Sequence, residues 1–303
     1  MSLARFGNAR SAMARIGVHR PALLGAVLLG VLVLLAVAGP LIERAVGVDS
    51  TTLDLAAMLN GPSAAHPLGT DEVGRDLLAR LLRGGRVSLA VGLLTAAVAA
   101  VIGTIVGLAA GYLGGAIDAF LMRFTDGVIA LPLLPLLIVL GAIDPAKLGL
   151  SPDAFKSETA GLVRIVIIIA VVGWTTVARL VRAATLTVRV QDYVRSAEAM
   201  GARPIHIMLR HILPNVVSPL IVATTLSIGN IILLESALSF LGLGVQPPLP
   251  SWGNMLTAAL DQMSSNPAQA IWPGVMIFAT VLAFNLVGDG LQEALDPRAS
   301  RRL

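Results

Sequence analysis

The chain has 303 residues, of which 56% are hydrophobic and only 13% are charged. A soluble domain carries about 25% charged residues, so this composition excludes an ordinary soluble protein and indicates a membrane protein. The net charge of +4 fits basic segments at a cytoplasmic membrane edge better than a nucleic-acid-binding surface, and the absence of cysteine excludes disulfides and thiolate metal sites.

The chain begins with a basic segment, residues 1–21, that precedes an uncharged run at 22–42. The run has about 21 residues, which is enough to cross the ~30 Å hydrocarbon core. Because no small-residue cleavage site and soluble domain follow, we predict an uncleaved first span rather than a secretory signal.

A second span is predicted at 87–112, where no residue is charged. Its small residues recur every four positions and so share one helix face: Ala99, Gly103, Gly107 and Gly111. Small residues on one face allow a second helix to approach closely.

Four further spans are predicted at 116–142, 162–181, 213–241 and 271–287. The sequence therefore predicts an all-α membrane protein with about six transmembrane helices. We expect one transmembrane domain over residues 22–291, between tails at 1–21 and 292–303.

Basic residues set the predicted orientation. They cluster in three segments that an even number of spans places on one side: 1–21, 182–210 and 292–303. The positive-inside rule puts that side, and hence both termini, in the cytoplasm.

A charged block interrupts the apolar sequence at "YVRSAEAMGARPIHIMLRHILPN", residues 193–215. Val190, Val194, Ala197 and Gly201 follow helical spacing, which predicts a short amphipathic helix. Gly201 is suited to the positive-φ turn that ends such a helix, and a second short helix is predicted at 205–212. On the residues alone, this loop of about 190–212 is either a docking element for a partner or an interfacial linker.

The block resembles the cytoplasmic coupling loop of ATP-binding-cassette importer permeases, with its fixed glycine at Gly201 and the following "HILPN". The family pattern starts with Glu-Ala-Ala, whereas this chain has Arg-Ser-Ala, so the leading glutamate is absent. The resemblance implies a set of residues that couple to an ATPase: Arg195, Ser196, Ala197, Glu198, Ala199, Gly201, Ala202, Arg203 and Pro204.

Three other segments resemble the dipeptide, oligopeptide and nickel group of these permeases, in particular the C-type subunit. They are "HPLGTDEVGRDLLARLLRGGRVSLAVG" at 66–92, "ESALSFLGLGVQPPLPSWGNML" at 235–256 and "VLAFNLVGDGLQEALDPR" at 281–298. The resemblance implies a non-enzymatic permease subunit in the bacterial inner membrane that imports short peptides or, alternatively, nickel chelates or glutathione.

The resemblance also implies partners: a second permease, two ATPases that carry ATP and Mg, and an extracytoplasmic binding protein, all within membrane lipid. The chain has no GxxxxGK[ST] phosphate-binding loop of its own, and we expect it to bind no cofactor, metal or nucleic acid. His206 and His211, five residues apart, are expected to be surface residues because ligands on one helix face need a spacing of three or four.

Ionisable residues within predicted spans are costly and suggest a translocation path. Glu235, Asp126 and Arg123 are the candidates, with Arg123 and Asp126 expected to pair and Glu235 expected either to line the path or to hold an arginine of the partner permease. Without the resemblance, a proton-coupled secondary transporter with Glu235 and Asp126 as its relay stays open.

A folded external loop is predicted after the fifth span, where glycines and prolines are frequent. We expect it to contact the binding protein or to cap the path, with Trp252 anchored at the membrane interface. The candidate contacts are Gln246, Pro247, Pro248 and Trp252.

Overall fold

The computed structural model describes residues 20–143 and 158–295, and the regular structure in these ranges is helical apart from one isolated bridge between Thr70 and Asp76. Its helices are α1 (Arg20–Val46), α2 (Leu77–Leu113), α3 (Gly115–Ala130), α4 (Leu133–Ala142), α5 (Glu158–Arg189), α6 (Asp192–Ala199), α7 (Pro204–Phe240), α8 (Trp252–Ala259) and α9 (Ala268–Leu295), with a short 3₁₀ turn at Leu55–Ala57.

Five of these helices are long and apolar enough to cross a membrane, and the bent pair α3–α4 makes a sixth if it is counted as one span. This confirms the all-α prediction with about six spans. Most of the predicted tails lie outside the described residues.

Helix α2 starts ten residues before the predicted span, because Asp76 caps it: the Asp76 carboxylate accepts a 2.8 Å hydrogen bond from the Ala79 backbone N–H. The absence of charge marks only the apolar part of α2, whereas the helix itself begins in a charged turn. Arg80 in that turn is buried and lies 3.4 Å from the Asp71 carboxylate, so its charge is compensated inside the fold.

The α2–α5 pair is the most extensive helix contact in the described chain. The predicted small-residue face of α2 makes it possible. A Cβ atom would lie 2.6 Å from the Val177 Cβ atom if placed on Gly103, and 2.6 Å from the Ala178 carbonyl oxygen if placed on Gly107. Glycine is therefore needed for this close approach.

The third predicted span is not one straight helix. Helix α3 ends at Ala130 and α4 starts at Leu133, with an angle of 86° between them. Leu131 is extended, with φ −74° and ψ 137°, as expected for a residue before proline, and Pro132 precedes α4. The sequence did not reveal this bend, because its apolar composition continues across the break, and the pair corresponds to the predicted third span if it is counted as one broken span.

Helix α7 also differs from the prediction of a separate short helix at 205–212. The chain is helical without interruption from Pro204 to Phe240 and passes through a π-turn at Met208–Ile212. The Leu213 N–H donates to the Met208 carbonyl across this turn. The wider turn accommodates Pro214, which would disrupt a regular α-helix at this point.

Candidate functional site

Helix α6 lies across one end of the helix bundle. Its Val194 and Ala197 side chains are buried, and they pack with Ile207 and Ile212 of α7 and with Val181 of α5. Predicted helix members Val190 and Gly201 lie outside the helix, so the amphipathic stripe is shorter than expected.

The other face of α6 is exposed and carries Arg195, Ser196, Glu198 and Ala199. Arg203 and Pro204 are exposed as well, whereas Ala197 is buried and Ala202 is half-buried. The Ala197 side chain therefore packs in the core and is not available to a partner. The assignment of this loop to ATPase coupling stays a prediction.

Gly201 ends the helix in the left-handed region, with φ +78°. Its N–H donates to the Glu198 carbonyl at 2.9 Å, and the Ala202 N–H donates to the Ala197 carbonyl at 3.1 Å. A Cβ atom on Gly201 would meet nothing within 4 Å, so the backbone conformation alone requires glycine there.

Two side-chain contacts that the sequence did not suggest tie this loop to α2. Arg189 donates from Nη1 to the Gly111 carbonyl at 2.9 Å, near the C-terminal end of α2, where a cation is favourable. The Glu198 carboxylate lies beside the Tyr112 hydroxyl. Both contacts join residues far apart in sequence, which explains why local patterns did not reveal them.

The two aspartates of α3 face α5. Asp118 pairs with Arg182 through two hydrogen bonds of 2.5 and 2.6 Å, and Asp126 pairs with Arg179 at 2.5 Å. The predicted Arg123–Asp126 pair is much looser, at 4.0 Å, because Arg179 on the facing helix approaches Asp126 more closely.

A groove of about 1790 Å³ runs along α7. Its other sides are formed by α5, by the bend between α3 and α4, and by the C-terminal end of α9. Its wall on α7 extends from Pro214 to Leu234, which corresponds to about 30 Å of helix, close to the thickness of a bilayer core. None of the described residues that line it is charged. Its polar members are Thr175, Thr176, Asn215, Ser218, Ser227, Asn230 and Gln292.

The three predicted path residues do not line this groove. Asp126 and Arg123 lie in the α3–α5 charge cluster described above. Glu235 is fully buried, and its Oε1 atom accepts a 2.7 Å hydrogen bond from the Ser239 hydroxyl. The Ser88 and Ser251 hydroxyls lie near this carboxylate, whose buried Oε2 atom has no hydrogen-bond partner among the described residues, so Glu235 lies where α7 meets α2 and the start of α8.

Trp252 is buried, with 1% of its surface exposed, and does not lie at an interface as predicted. Its Nε1 atom donates to the Leu81 carbonyl at 3.0 Å, and its ring packs on Gly85. This side chain cannot contact a binding protein in this conformation. Gln246, Pro247 and Pro248 are exposed on the loop before it, and their assignment as contacts stays a prediction.

His206 and His211 are closer than their spacing suggested. The π-turn places their ring centroids 5.9 Å apart in an edge-to-face contact. Among the described residues, no three His, Cys, Asp or Glu side chains form a group that could hold a metal ion.

Residues 103–301 match the family described as "Binding-protein-dependent transport system inner membrane component". The chain is 44% identical over 238 residues to the glutathione transport system permease protein GsiD of Pectobacterium atrosepticum, covering 78% of this chain and 74% of the relative. The GsiD protein of Escherichia coli is also 44% identical, over 239 residues, with 79% of this chain and 74% of the relative covered.

Among solved structures, the fold is similar to an inward-facing conformation of the MetNI methionine ABC transporter, with a TM-score of 0.56. The sequence identity is 18%, and the match covers 72% of this chain and 97% of that chain. The likeness shows a shared fold. Together with the extent of the family match, the comparisons establish that this chain belongs to the family of inner membrane components of binding-protein-dependent transport systems.

Proposed function

We propose that this permease subunit imports short peptides, tripeptides of the size of glutathione included, in a complex driven by ATP. In this complex the chain forms one half of the translocation path and a second permease forms the other. Two ATPase subunits that bind ATP and Mg dock on the α6 loop from the cytoplasm, and an external binding protein delivers the substrate.

One observation carries the proposal: a single uninterrupted helix connects the exposed loop to the groove wall. Helix α7 begins at Pro204, three residues after Gly201, and continues as the groove wall as far as Leu234. A displacement of α6 is therefore transmitted along a packed helix to the groove. This is the kind of two-state rearrangement by which nucleotide binding can open and close a path.

The substrate class rests on two further points. The two relatives described above are glutathione transport permeases, and glutathione is a tripeptide. The groove offers hydroxyl and amide groups on an apolar wall, which suits the backbone amides of a short peptide.

The rival function, a proton-coupled secondary transporter, needs a carboxylate that faces the path. Asp118 and Asp126 are each paired with an arginine of α5, and Glu235 is fully buried away from the groove with its Oε1 atom bonded to the Ser239 hydroxyl. These positions favour structural roles for the three carboxylates.

The test is reconstitution in liposomes of this chain, its second permease, the ATPases and the binding protein, with a labelled tripeptide outside. ATP should support uptake in the presence of a protonophore, and a non-hydrolysable analogue should not support turnover. Uptake by this chain alone, driven by a pH gradient, would establish the rival function instead.

A further inference from the structure

We propose that Asn230 contacts the transported molecule through its amide, and that the half-path formed by this chain does not select substrates by charge. This inference rests on the proposed function, and it assigns a specificity role to the groove. Asn230 lies on α7, about 24 Å along the helix from Pro214 and near the far end of the groove.

Asn230 differs from three of the six other polar residues of the groove because its hydrogen-bonding groups are free. Thr175 and Ser227 donate to backbone carbonyls of their own helices, and Asn215 donates to the His211 carbonyl at 2.6 Å. The Asn230 side chain is exposed and has no hydrogen-bond partner within residues 20–143 and 158–295.

A free amide at this depth is unfavourable against hydrocarbon, since lipid offers no hydrogen-bond partner. Polar side chains within spans therefore face protein or a water-filled cavity. Asn230 lines the groove, where both donors and the acceptor of its amide can bind the amide groups of a peptide in transit.

The groove wall gives the second half of the inference. Its described residues include hydroxyls and amides but no charged side chain. Such a wall has no fixed charge with which to attract or reject a charged side chain. Peptides that differ only in the charge of one side chain should therefore pass this half-path at similar rates.

The absence of cysteine from the chain allows charge to be introduced after folding. Asn230→Cys, assembled in the complete complex, is modified with either a negatively or a positively charged methanethiosulfonate reagent. ATP-driven uptake is then measured for Gly-Lys-Gly, Gly-Glu-Gly and Gly-Gln-Gly. The wild-type complex, treated identically, corrects for thiols on the partners and for selectivity of the binding protein.

The negative reagent should raise the uptake ratio of Gly-Lys-Gly to Gly-Glu-Gly by about five- to tenfold, and the positive reagent should lower it by a similar factor. Asn60→Cys provides the matched control, because Asn60 is an exposed asparagine between α1 and α2 that does not line the groove. Its modification should leave the ratio unchanged.

Two outcomes would overturn the inference. Equal effects on all three peptides, with loss of the second permease on purification, would place Asn230 in the contact between permeases. Unchanged uptake of every peptide after complete modification would place it outside the path. Failure of ATP-driven uptake in the wild-type complex would instead refute the proposed function, so the two failures are distinguishable.

Discussion

A single methyl group at Gly107 should destabilise the membrane domain, because α2 and α5 touch there through backbone atoms. A Cβ atom at Gly107 would lie 2.6 Å from the Ala178 carbonyl oxygen and 2.7 Å from the Val181 Cβ atom. Neither is the end of a flexible side chain, so the two helices must move apart to accommodate Gly107→Ala.

The expected magnitude follows from two opposing effects. Overpacking a close contact costs about 1–3 kcal/mol. Replacement of glycine by alanine within a helix contributes about 0.5–1 kcal/mol in the other direction, through the entropy of the unfolded chain. The two ranges leave a net loss of about 0–2.5 kcal/mol, and we expect a value near the middle, about 1 kcal/mol, in the free energy of unfolding.

Gly30→Ala on α1 is the matched control, since a Cβ atom there would meet nothing within 4 Å. Thermal unfolding of the purified variants in detergent, followed by tryptophan fluorescence, should give a Tm several degrees lower for Gly107→Ala than for Gly30→Ala. Equal or higher stability of Gly107→Ala would refute the argument that the α2–α5 distance depends on glycine.

Three further predictions concern the coupling loop, the start of α8 and the topology. Gly201→Val should abolish coupling between ATP hydrolysis and uptake while the chain remains folded. A β-branched residue at φ +78° costs about 1–2 kcal/mol, and this strain is local to the turn. Normal coupled transport by the variant would contradict this prediction. Trp252→Phe should lower the free energy of unfolding by about 0.5–1.5 kcal/mol through loss of the hydrogen bond to Leu81, whereas Trp272→Phe, at a residue 40% exposed, should have little effect in the same denaturation assay. Single cysteines should react with an impermeant reagent on intact cells at two of four positions only, and external labelling at either other position would refute the topology. The two reactive substitutions are Ser63→Cys and Ser264→Cys, and the two protected ones are Ser11→Cys and Ser300→Cys.

The features that sequence predicted correctly depend on local patterns. The apolar runs have the length of a bilayer, and the glycine spacing on α2 places small residues on one face whatever the partner helix is. The positive φ of Gly201 follows from the place of a glycine directly after a short helix.

The features that sequence missed depend on contacts between distant residues. Asp126 has an arginine at i−3, so the sequence suggested a local pair, but Arg179 is the closer partner and is 53 residues away. Trp252 has the amphipathic ring typical of an interface anchor, yet its N–H finds the Leu81 carbonyl in the core. Composition alone cannot distinguish these alternatives.

The π-turn shows a third kind of limit. On a regular α-helix, residues five apart such as His206 and His211 lie on different faces. The wider turn before Pro214 changes which residues share a face and brings the two rings within 5.9 Å. Pro214, whose ring would clash within a regular α-helix, is compatible with this wider turn.

The position of α6 links both walls of the groove. Helix α5 ends at Arg189, two residues before α6 is capped, and α7 begins three residues after Gly201. Val194 and Ala197 pack against both helices in one buried cluster, and Arg189 fixes the same end to α2. Because protein interiors are close-packed, a partner that shifts α6 cannot leave α5 and α7 in place. Since α5 and α7 also line the groove, the width of the proposed path is set at the loop where we expect the ATPase to bind.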